Sequence, residues 1–321
     1  MVPLSLPLAL GALSIEAVIG YPAPLYRALG HPVTWMGGWL SFLEARLNRP
    51  EASFASRRSA GVAALALYLL PVALVAAAAT AVLAPRGIPG FAALAVLAAS
   101  LPAQRSLDAH VRAVAHGLGR SLEHGRTAVA KIVGRNPEAL DSAGVARAAI
   151  ESLAENLSDG VVAPILWIAI GGLVGGALLK AVNTADSMIG HKDDRYAAFG
   201  WAAARLDDFV NLPASRLAAA FLIAAAALTS GASARAAAGA VLRDAKKHRS
   251  PNAGWPEAAM AGALGVKLAG PRVYGTTLVE NAFIGEGPWE ATAEDIRRAL
   301  RLYRTACAIE AALLGLLAAA L

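Results

Sequence analysis

The distribution of apolar residues along the chain most constrains its fold. Long apolar runs alternate with polar blocks, and a run of about 20 residues is enough to span a bilayer. Charged residues make up only 16% of the chain, against about 25% in soluble domains. We predict an all-α, polytopic integral membrane protein, a single membrane domain with about 4–6 apolar helices. The apolar segments lie near residues 2–20, 59–84, 87–103, 161–179, 217–230 and 305–321.

These segments are rich in Ala, Leu and Val, which suits closely packed helices. The first segment lacks a basic region and is predicted to be a retained membrane helix rather than a signal peptide. The segment 161–179 is interrupted by Pro164 and several glycines, so we expect it to line a cavity instead of crossing cleanly. Cys307 is the only cysteine and therefore forms no intramolecular disulfide.

The polar regions are residues 105–160, 180–216 and 235–304. The net charge is +6. Segment 44–58 carries four basic residues and segment 105–147 carries seven, whereas the connection near Arg86 has one. By the positive-inside rule these two loops are predicted to be cytoplasmic. Zinc-finger spacing, an RNA-recognition signature and a basic stripe with interleaved aromatics are all missing from the sequence, so we expect no nucleic-acid partner.

The densest polar block runs from Lys180 to Arg216 and holds five acidic residues, five basic residues, two asparagines and a histidine. A charge at the bilayer centre costs at least ~2.5–3.5 kcal/mol. Such a block therefore lines a cavity or a membrane surface where chemistry or transport occurs.

The start of this block places polar side chains on one helix face. Lys180, Thr184 and Ser187 recur at helical spacing, and Asn183 and Asp186 lie beside them. The pattern predicts a phosphate or metal-phosphate cradle, with Lys180 as the counter-charge. A polar seam that fixes helix packing is the alternative.

The end of the block has Trp201, Arg205 and Asp208 at helical spacing, and Asp207–Asp208 followed by Asn211 could bind a cation. An Arg205–Asp208 surface ion pair is the alternative, and it would contribute only ~0–1 kcal/mol.

A second acidic stripe comes before the fourth apolar segment. Glu151, Glu155 and Asp159 recur every four residues, with Asn156 on an adjacent stripe. Three like charges repel one another unless a cation or water offsets them. Two interpretations follow: a Mg²⁺ site with a phosphorylated substrate, or a solvated helix face. Asp141 or Ser142 is the predicted N-cap of this helix, and Gly160 is its predicted end.

A basic cluster, Lys246–Arg249, precedes a turn and a helix that opens with Trp255, Pro256 and Glu257. Free N–H groups and the helix dipole favour an anion at such a position. A basic patch on the membrane surface is the alternative. Further along, Thr292 and Asp295 predict a capped helix that continues into the last apolar segment. The short motif around His31 is interpreted as a turn at the end of the first span.

Together these motifs resemble one family, the membrane-bound adenosylcobinamide-phosphate synthases of cobalamin (vitamin B12) biosynthesis (CobD/CbiB). The resemblance covers nearly the whole chain. It is carried by HPVTWMG at 31–37, by 132–164, by 180–216, and by KKHRSPNAGWPEAAMAGALGV at 246–266.

The resemblance implies a ligase that forms an amide bond between adenosylcobyric acid and (R)-1-aminopropan-2-ol phosphate (or aminopropanol), with ATP and Mg²⁺ as cofactors. It implies a multi-pass protein of the bacterial cell (inner) membrane whose partners are these substrates, the lipid bilayer and other membrane-bound cobalamin-assembly enzymes. The individual roles are our own prediction. We predict that the catalytic residues are Glu151, Glu155, Asn156, Asp159, Asn183, Asp186, Asp207 and Asp208, of which Glu155, Asp159, Asp186 and Asp208 would bind metal. We predict that the substrate- and phosphate-binding residues are Lys180, Thr184, Ser187, Arg205, Asn211, Lys246, Lys247, His248, Arg249, Asn252 and Glu257.

Two other functions remain open. A Mg²⁺-dependent intramembrane phosphate or prenyl transferase also uses Asn/Asp-rich helix faces, although its spaced aspartate motifs do not appear cleanly. A non-catalytic corrinoid transporter or binding protein is the other alternative, although the repeated halves common in transporters are not seen in the sequence. Nucleotide-binding motifs of the P-loop and G-x-G-x-x-G kinds are missing from the sequence as well.

Overall fold

The computed structural model describes residues 2–134, 136–270, 272–274, 277–279 and 282–320. Helices dominate these residues, as the apolar pattern predicts. The helices are α1 (Val2–Ile19), α2 (Ala23–Leu29), α3 (Pro32–Leu47), α4 (Phe54–Leu83), α5 (Gly87–Ala98), α6 (Gln104–Leu118), α7 (Leu122–Val129), α8 (Ser142–Leu157), α9 (Ala163–Ile189), α10 (Trp201–Val210), α11 (Leu212–Leu228), α12 (Ala234–Asp244), α13 (Gly254–Leu264) and α14 (Ala293–Ala320).

Four short strands lie between α13 and α14, and the sequence did not predict them. Strand β1 (Leu268–Ala269) pairs antiparallel with β4 (Phe283–Ile284). Strand β2 (Arg272–Tyr274) pairs antiparallel with β3 (Thr277–Val279). They add two small ladders to a fold that is otherwise all-α.

Among the described residues, three helical segments are long and apolar enough to cross a membrane: Phe54–Ala98, Ser142–Ile189 and Ala293–Ala320. Counting α10 and α11 as one broken span gives four, the lower end of the predicted range. Helix α5 has 12 residues, about 18 Å, so the 87–103 segment does not have the length of a span by itself.

The chain divides into two compact units. The first, unit 1, comprises Met1–Ala103, Ala163–Asn211 and Leu314–Leu321. In it, α9 packs against α1, α3, α4 and α10. The core of unit 1 is built largely from Ala and Leu around two aromatic rings, Tyr68 and Phe199. Gly61 lets α4 approach the chain at Phe199, since a Cβ there would lie 1.9 Å from the Phe199 carbonyl oxygen.

Helix α9 is interrupted at Gly172, whose φ of 60° and ψ of −151° are not helical. Only glycine adopts such a conformation without strain. The predicted interruption of the 161–179 segment is therefore present, and it lies at a glycine rather than at Pro164.

The second unit, unit 2, comprises Gln104–Val162 and Leu212–Leu313. Its centre is α13, which is buried along nearly its whole length and packs against α8, α11 and α12. Gly262 permits the close contact with α12, because a Cβ there would lie 2.5 Å from the Ala236 carbonyl oxygen.

The predicted helix ends are partly confirmed. Asp141 caps α8 by accepting a hydrogen bond from Gly144 N at 2.6 Å. Thr292 and Asp295 form the expected capping box at the start of α14, with Asp295 Oδ2 accepting from Thr292 N at 2.9 Å. The predicted end at Gly160 is wrong, because this glycine lies inside a π-helical turn, Ser158–Val162, that continues the helical backbone after α8.

Candidate functional site

The candidate site of unit 1 lies where α9 packs against α10. Asn183 and Asp186 project from α9, and Asp207 and Asp208 from α10, as the helical spacing predicts. With its amide nitrogen toward α10, Asn183 donates to Asp207 Oδ1 at 2.8 Å. The carboxylates of Asp186, Asp207 and Asp208 are close enough for their negative charges to act on one another. We call Asn183 and these three aspartates the acidic cluster.

Asn211 completes the acidic cluster from the end of α10. Its amide nitrogen donates to the Asp207 carbonyl oxygen at 3.1 Å. Its side-chain oxygen is buried, and the structure gives it no hydrogen-bond partner among the described residues. A buried polar oxygen without a partner costs free energy, so this atom is a candidate ligand-binding position.

Gly190 makes room for the Asp186 carboxylate. A Cβ at Gly190 would lie 2.0 Å from Asp186 Oδ1, so any larger residue would push the carboxylate away. The Gly190 backbone N–H donates to the Asp186 carbonyl oxygen at 2.7 Å. The glycine thus ends α9 and shapes the acidic cluster at the same point.

The other predicted residues of this region have mixed environments. Thr184 and Ser187 donate to carbonyl oxygens of their own helix, at 2.7 Å from Lys180 O and 2.8 Å from Asn183 O. Arg205 and Asp208 form the ion pair that was the alternative interpretation, at 3.5 Å. The Arg205 side chain remains exposed, so this pair contributes little.

Lys180 is partly buried and acts on a residue of another motif. His31 is the N-cap of α3, where its Nδ1 accepts from Val33 N at 3.2 Å. Burial, together with the positive charge of Lys180, lowers the pKa of His31. The motif around His31 thus begins a helix, which corrects its interpretation as a turn, and places the imidazole within the electrostatic influence of Lys180.

Three residues that the sequence analysis missed hold the loop between α9 and α10. Glu44 accepts from Arg195 Nε at 3.1 Å and from Arg195 Nη2 at 2.9 Å. Asn48 donates to Glu44 Oε1 at 3.0 Å, and Arg57 donates to Asn48 Oδ1 at 3.1 Å. Burial alone would raise the pKa of Glu44, but the hydrogen bonds from Arg195 and Asn48 lower it overall. No local spacing could reveal the contact between Glu44 and Arg195, since these residues lie 151 positions apart.

In unit 2, the predicted acidic stripe has three different environments. Glu151 is buried, and its Oε1 accepts from Ala269 N at 2.8 Å, which fixes strand β1 to α8. Glu155 and Asn156 are exposed, and Asn156 donates to the Ser152 carbonyl oxygen at 2.9 Å. Asp159 is half-buried within the π-helical turn. Such turns are frequent at functional sites.

Two of the four residues in the basic cluster of unit 2, Lys247 and His248, lie beside acidic neighbours. Lys247 Nζ lies 2.8 Å from Asp244 Oδ1, whereas Lys246 and Arg249 are exposed. His248 Nδ1 accepts from Ser250 N at 3.0 Å, which leaves its Nε2 directed at buried Glu257, 3.8 Å away. In the neutral imidazole the proton therefore sits on Nε2.

Asn252 connects the same turn to α11. Its side-chain oxygen accepts from Arg216 Nη1 at 3.0 Å and from Ser215 Oγ at 3.2 Å. The Arg216 guanidinium stacks over the Trp255 ring, 4.4 Å from its centroid. These contacts hold the side chain of Asn252, a predicted substrate-binding residue, in place within the fold.

Mg²⁺ is the metal that the resemblance implies. Among the described residues, no group of three or more His, Cys, Asp or Glu side chains could hold a metal ion. Magnesium sites commonly use only one or two carboxylates, completed by waters and substrate phosphates. The acidic cluster, with the buried oxygen of Asn211, offers the oxygen donors that such a site needs. These residues therefore fit Mg²⁺, whose ligands remain predicted.

The predicted site residues divide between the two units. Residues from Lys180 to Asn211 lie in unit 1, and Glu151, Glu155, Asn156, Asp159 and the set from Lys246 to Glu257 lie in unit 2. Their assembly into one chamber remains a prediction.

Comparison with known proteins adds to this geometry. The family described as CobD/Cbib protein matches residues 9–303. A Sinorhizobium protein named cobalamin biosynthesis protein CobD is 50% identical over 303 residues, 94% of each chain. Proteins of the same name from Rhodobacter capsulatus and Brucella suis are each 47% identical, over 96% and 95% of this chain and 95% and 96% of theirs. No solved structure matches. The chain belongs to the CobD/Cbib family.

Proposed function

We propose that this chain acts in cobalamin biosynthesis as the ligase that joins adenosylcobyric acid to (R)-1-aminopropan-2-ol phosphate or aminopropanol. The family and the names of the relatives support the pathway. The acidic cluster supports the reaction type, because clustered carboxylates can attract an ammonium substrate and take up the proton that its nitrogen loses. This cluster is the observation that carries the proposal.

In the proposed reaction the C–N bond forms between the amine and the propionate carbon, and one propionate oxygen leaves. ATP would supply the phosphoryl group, so that this oxygen departs within inorganic phosphate and ADP is the other product, and Mg²⁺ would offset the phosphate charge. Asp186 and Asp207 would bind the cationic amine and accept its proton. Asn183 holds Asp207 through its amide, and Asn211 offers its buried oxygen to the metal or to the amine.

The test uses the full chain in nanodiscs with adenosylcobyric acid, aminopropanol phosphate, ATP and Mg²⁺. We expect a new amide by mass spectrometry that requires all four components. Folded protein that binds the corrinoid but forms no amide with either amine would reject the ligase proposal.

The break in α9 favours a second candidate, a corrinoid-binding membrane protein without catalysis. Interrupted membrane helices are common where transporters hold their substrates, and Gly172 interrupts α9. A corrinoid titration that saturates with no amide product under the same conditions would favour this candidate over the ligase.

A further inference from the structure

A basic groove in unit 2 lies outside the acidic cluster and outside every predicted motif. It is a cavity of about 420 Å³ between α6 and α14, within the size range of small-molecule sites. Its polar lining is Arg112 and His116 from α6 and Arg297, Arg301 and Arg304 from α14. We call these five residues the arginine groove.

The groove follows from helical spacing on two amphipathic helices. Arg112 and His116 are four residues apart, and Arg297, Arg301 and Arg304 are separated by four and three, so each set shares one helix face. The tight packing beneath comes from small and aliphatic residues, since Ala115 and Leu300 are buried at its floor. Arg304 fastens the two helices through Asp108, with Nε 2.6 Å from Oδ1.

The charges of the groove are only partly compensated within it. Asp108 pairs with Arg304 and lies 3.9 Å from Arg112. Glu294 lies 3.0 Å from Arg297 and 3.5 Å from Arg301. Two carboxylates thus serve four guanidinium groups, and each of these arginine side chains is at least half exposed. Like charges on neighbouring helix turns repel one another, so an anion would stabilise this arrangement.

We propose that the arginine groove binds phosphate groups. Arginine is suited to this ligand because its planar guanidinium donates two parallel hydrogen bonds to phosphate oxygens. Several arginines around one cavity, with a histidine at its edge, favour a polyphosphate or a phosphate ester over a carboxylate or chloride. His116 contributes a ring N–H donor.

Two sources of phosphate suit this position. The groove lies on the polar beginning of α14, whose later residues are apolar enough to enter a membrane, so an anionic lipid headgroup could reach it. A free polyphosphate, such as the triphosphate of a nucleotide, could enter from water. Both use the same chemistry, and the experiment distinguishes them.

The first arm measures binding of inorganic tripolyphosphate and of ATP to the full chain in phosphatidylcholine nanodiscs by isothermal calorimetry. The second arm measures retention of phosphatidylglycerol from mixed nanodiscs by native mass spectrometry. The variant is Arg112→Gln with Arg301→Gln, which spares the Arg304–Asp108 bridge. The matched control is Arg235→Gln, an exposed arginine on α12 outside the groove.

We expect the double variant to bind one of these ligands about tenfold or more weakly than the wild type does, since each arginine contributes charge-assisted hydrogen bonds. We expect the control variant to bind as the wild type does. A loss confined to tripolyphosphate and ATP assigns the groove to soluble phosphates, and a loss confined to phosphatidylglycerol assigns it to lipid. Absence of binding in both arms, or equal binding by wild type and double variant, overturns the proposal. Unchanged thermal unfolding of the unliganded variant shows that the fold is intact.

Discussion

Unit 1 contains two groups of charged side chains with opposite designs. Glu44 is matched by Arg195 and Asn48 through three hydrogen bonds that fix the loop between α9 and α10. Asp186 and Asp207 instead face other carboxylates. Matched charges hold a structure in place, whereas neighbouring like charges cost stability and persist where a ligand offsets them. From this comparison we expect a structural role for the first group and a functional role for the second.

The substitution Asp186→Asn is the strongest test of this comparison. If the acidic cluster is functional, we expect amide formation to fall by about 10²-fold or more, the scale of losing a positioned acid or base. Stability should stay level or rise, because one of three repelling charges is removed. The measurements are the initial rate by mass spectrometry and the thermal unfolding midpoint in detergent.

The matched control is Asp194→Asn, which removes an exposed carboxylate from the adjacent loop and should leave both values unchanged. Wild-type activity of Asp186→Asn, or a stability loss as large as its activity loss, would contradict the assignment.

Gly190→Ala tests whether the position of the Asp186 carboxylate matters as well as its charge. The added Cβ would lie 2.0 Å from Asp186 Oδ1, so the carboxylate must move. We expect a loss of activity of about tenfold or more, since a displacement of about 1 Å in a site can cost that much. Gly239→Ala is the control, because a Cβ at Gly239 meets nothing within 4 Å. Equal activity of the two variants would show that the carboxylate position is unimportant.

Glu44→Gln should destabilise the fold, in contrast to Asp186→Asn. Losing the charge that accepts from Arg195 and Asn48 should lower the free energy of unfolding by about 1.5–3 kcal/mol, the range for hydrogen bonds to charged groups. Activity per folded molecule should fall less than in Asp186→Asn. A double-mutant cycle with Arg195→Gln measures the coupling in thermal or denaturant unfolding. A coupling energy of zero would show that the pair does not hold the loop.

The sequence predicted most of what local spacing controls. The faces of α9 and α10, the Asp141 cap and the Thr292–Asp295 capping box all follow from residues within one or two turns. Contacts between distant segments were not predictable. Glu44 contacts Arg195 across 151 positions and Asp108 contacts Arg304 across 196. The spacing of residues along the sequence does not predict such pairs. The end at Gly160 failed for another reason, since a π-helical turn lets the backbone continue past a glycine.

Asp244 in unit 2 extends the comparison, because its charge is matched by partners as the charge of Glu44 is. We expect its substitution to have a smaller effect than the three changes above. It accepts hydrogen bonds from Arg243, Lys247 and the Gly285 N–H. Burial alone would raise its pKa, but these partners lower the pKa of Asp244 to about 2. An aspartate in the unfolded chain titrates near about 3.9, so the unfolded state takes up the proton first as the pH falls.

The stability from Asp244 is therefore complete above about pH 5 and is lost as the pH falls through about 4 toward 2. We expect the difference in unfolding midpoint between wild type and Asp244→Asn to be largest near neutral pH and to shrink toward pH 3, measured in detergent at constant ionic strength. Arg243→Gln, which removes one donor, should show a smaller difference with the same sign. A difference that stays constant from pH 7 to pH 3 would mean that the Asp244 charge is not matched in the folded protein, and the distinction between matched and repelling carboxylates would then lose its support in unit 2.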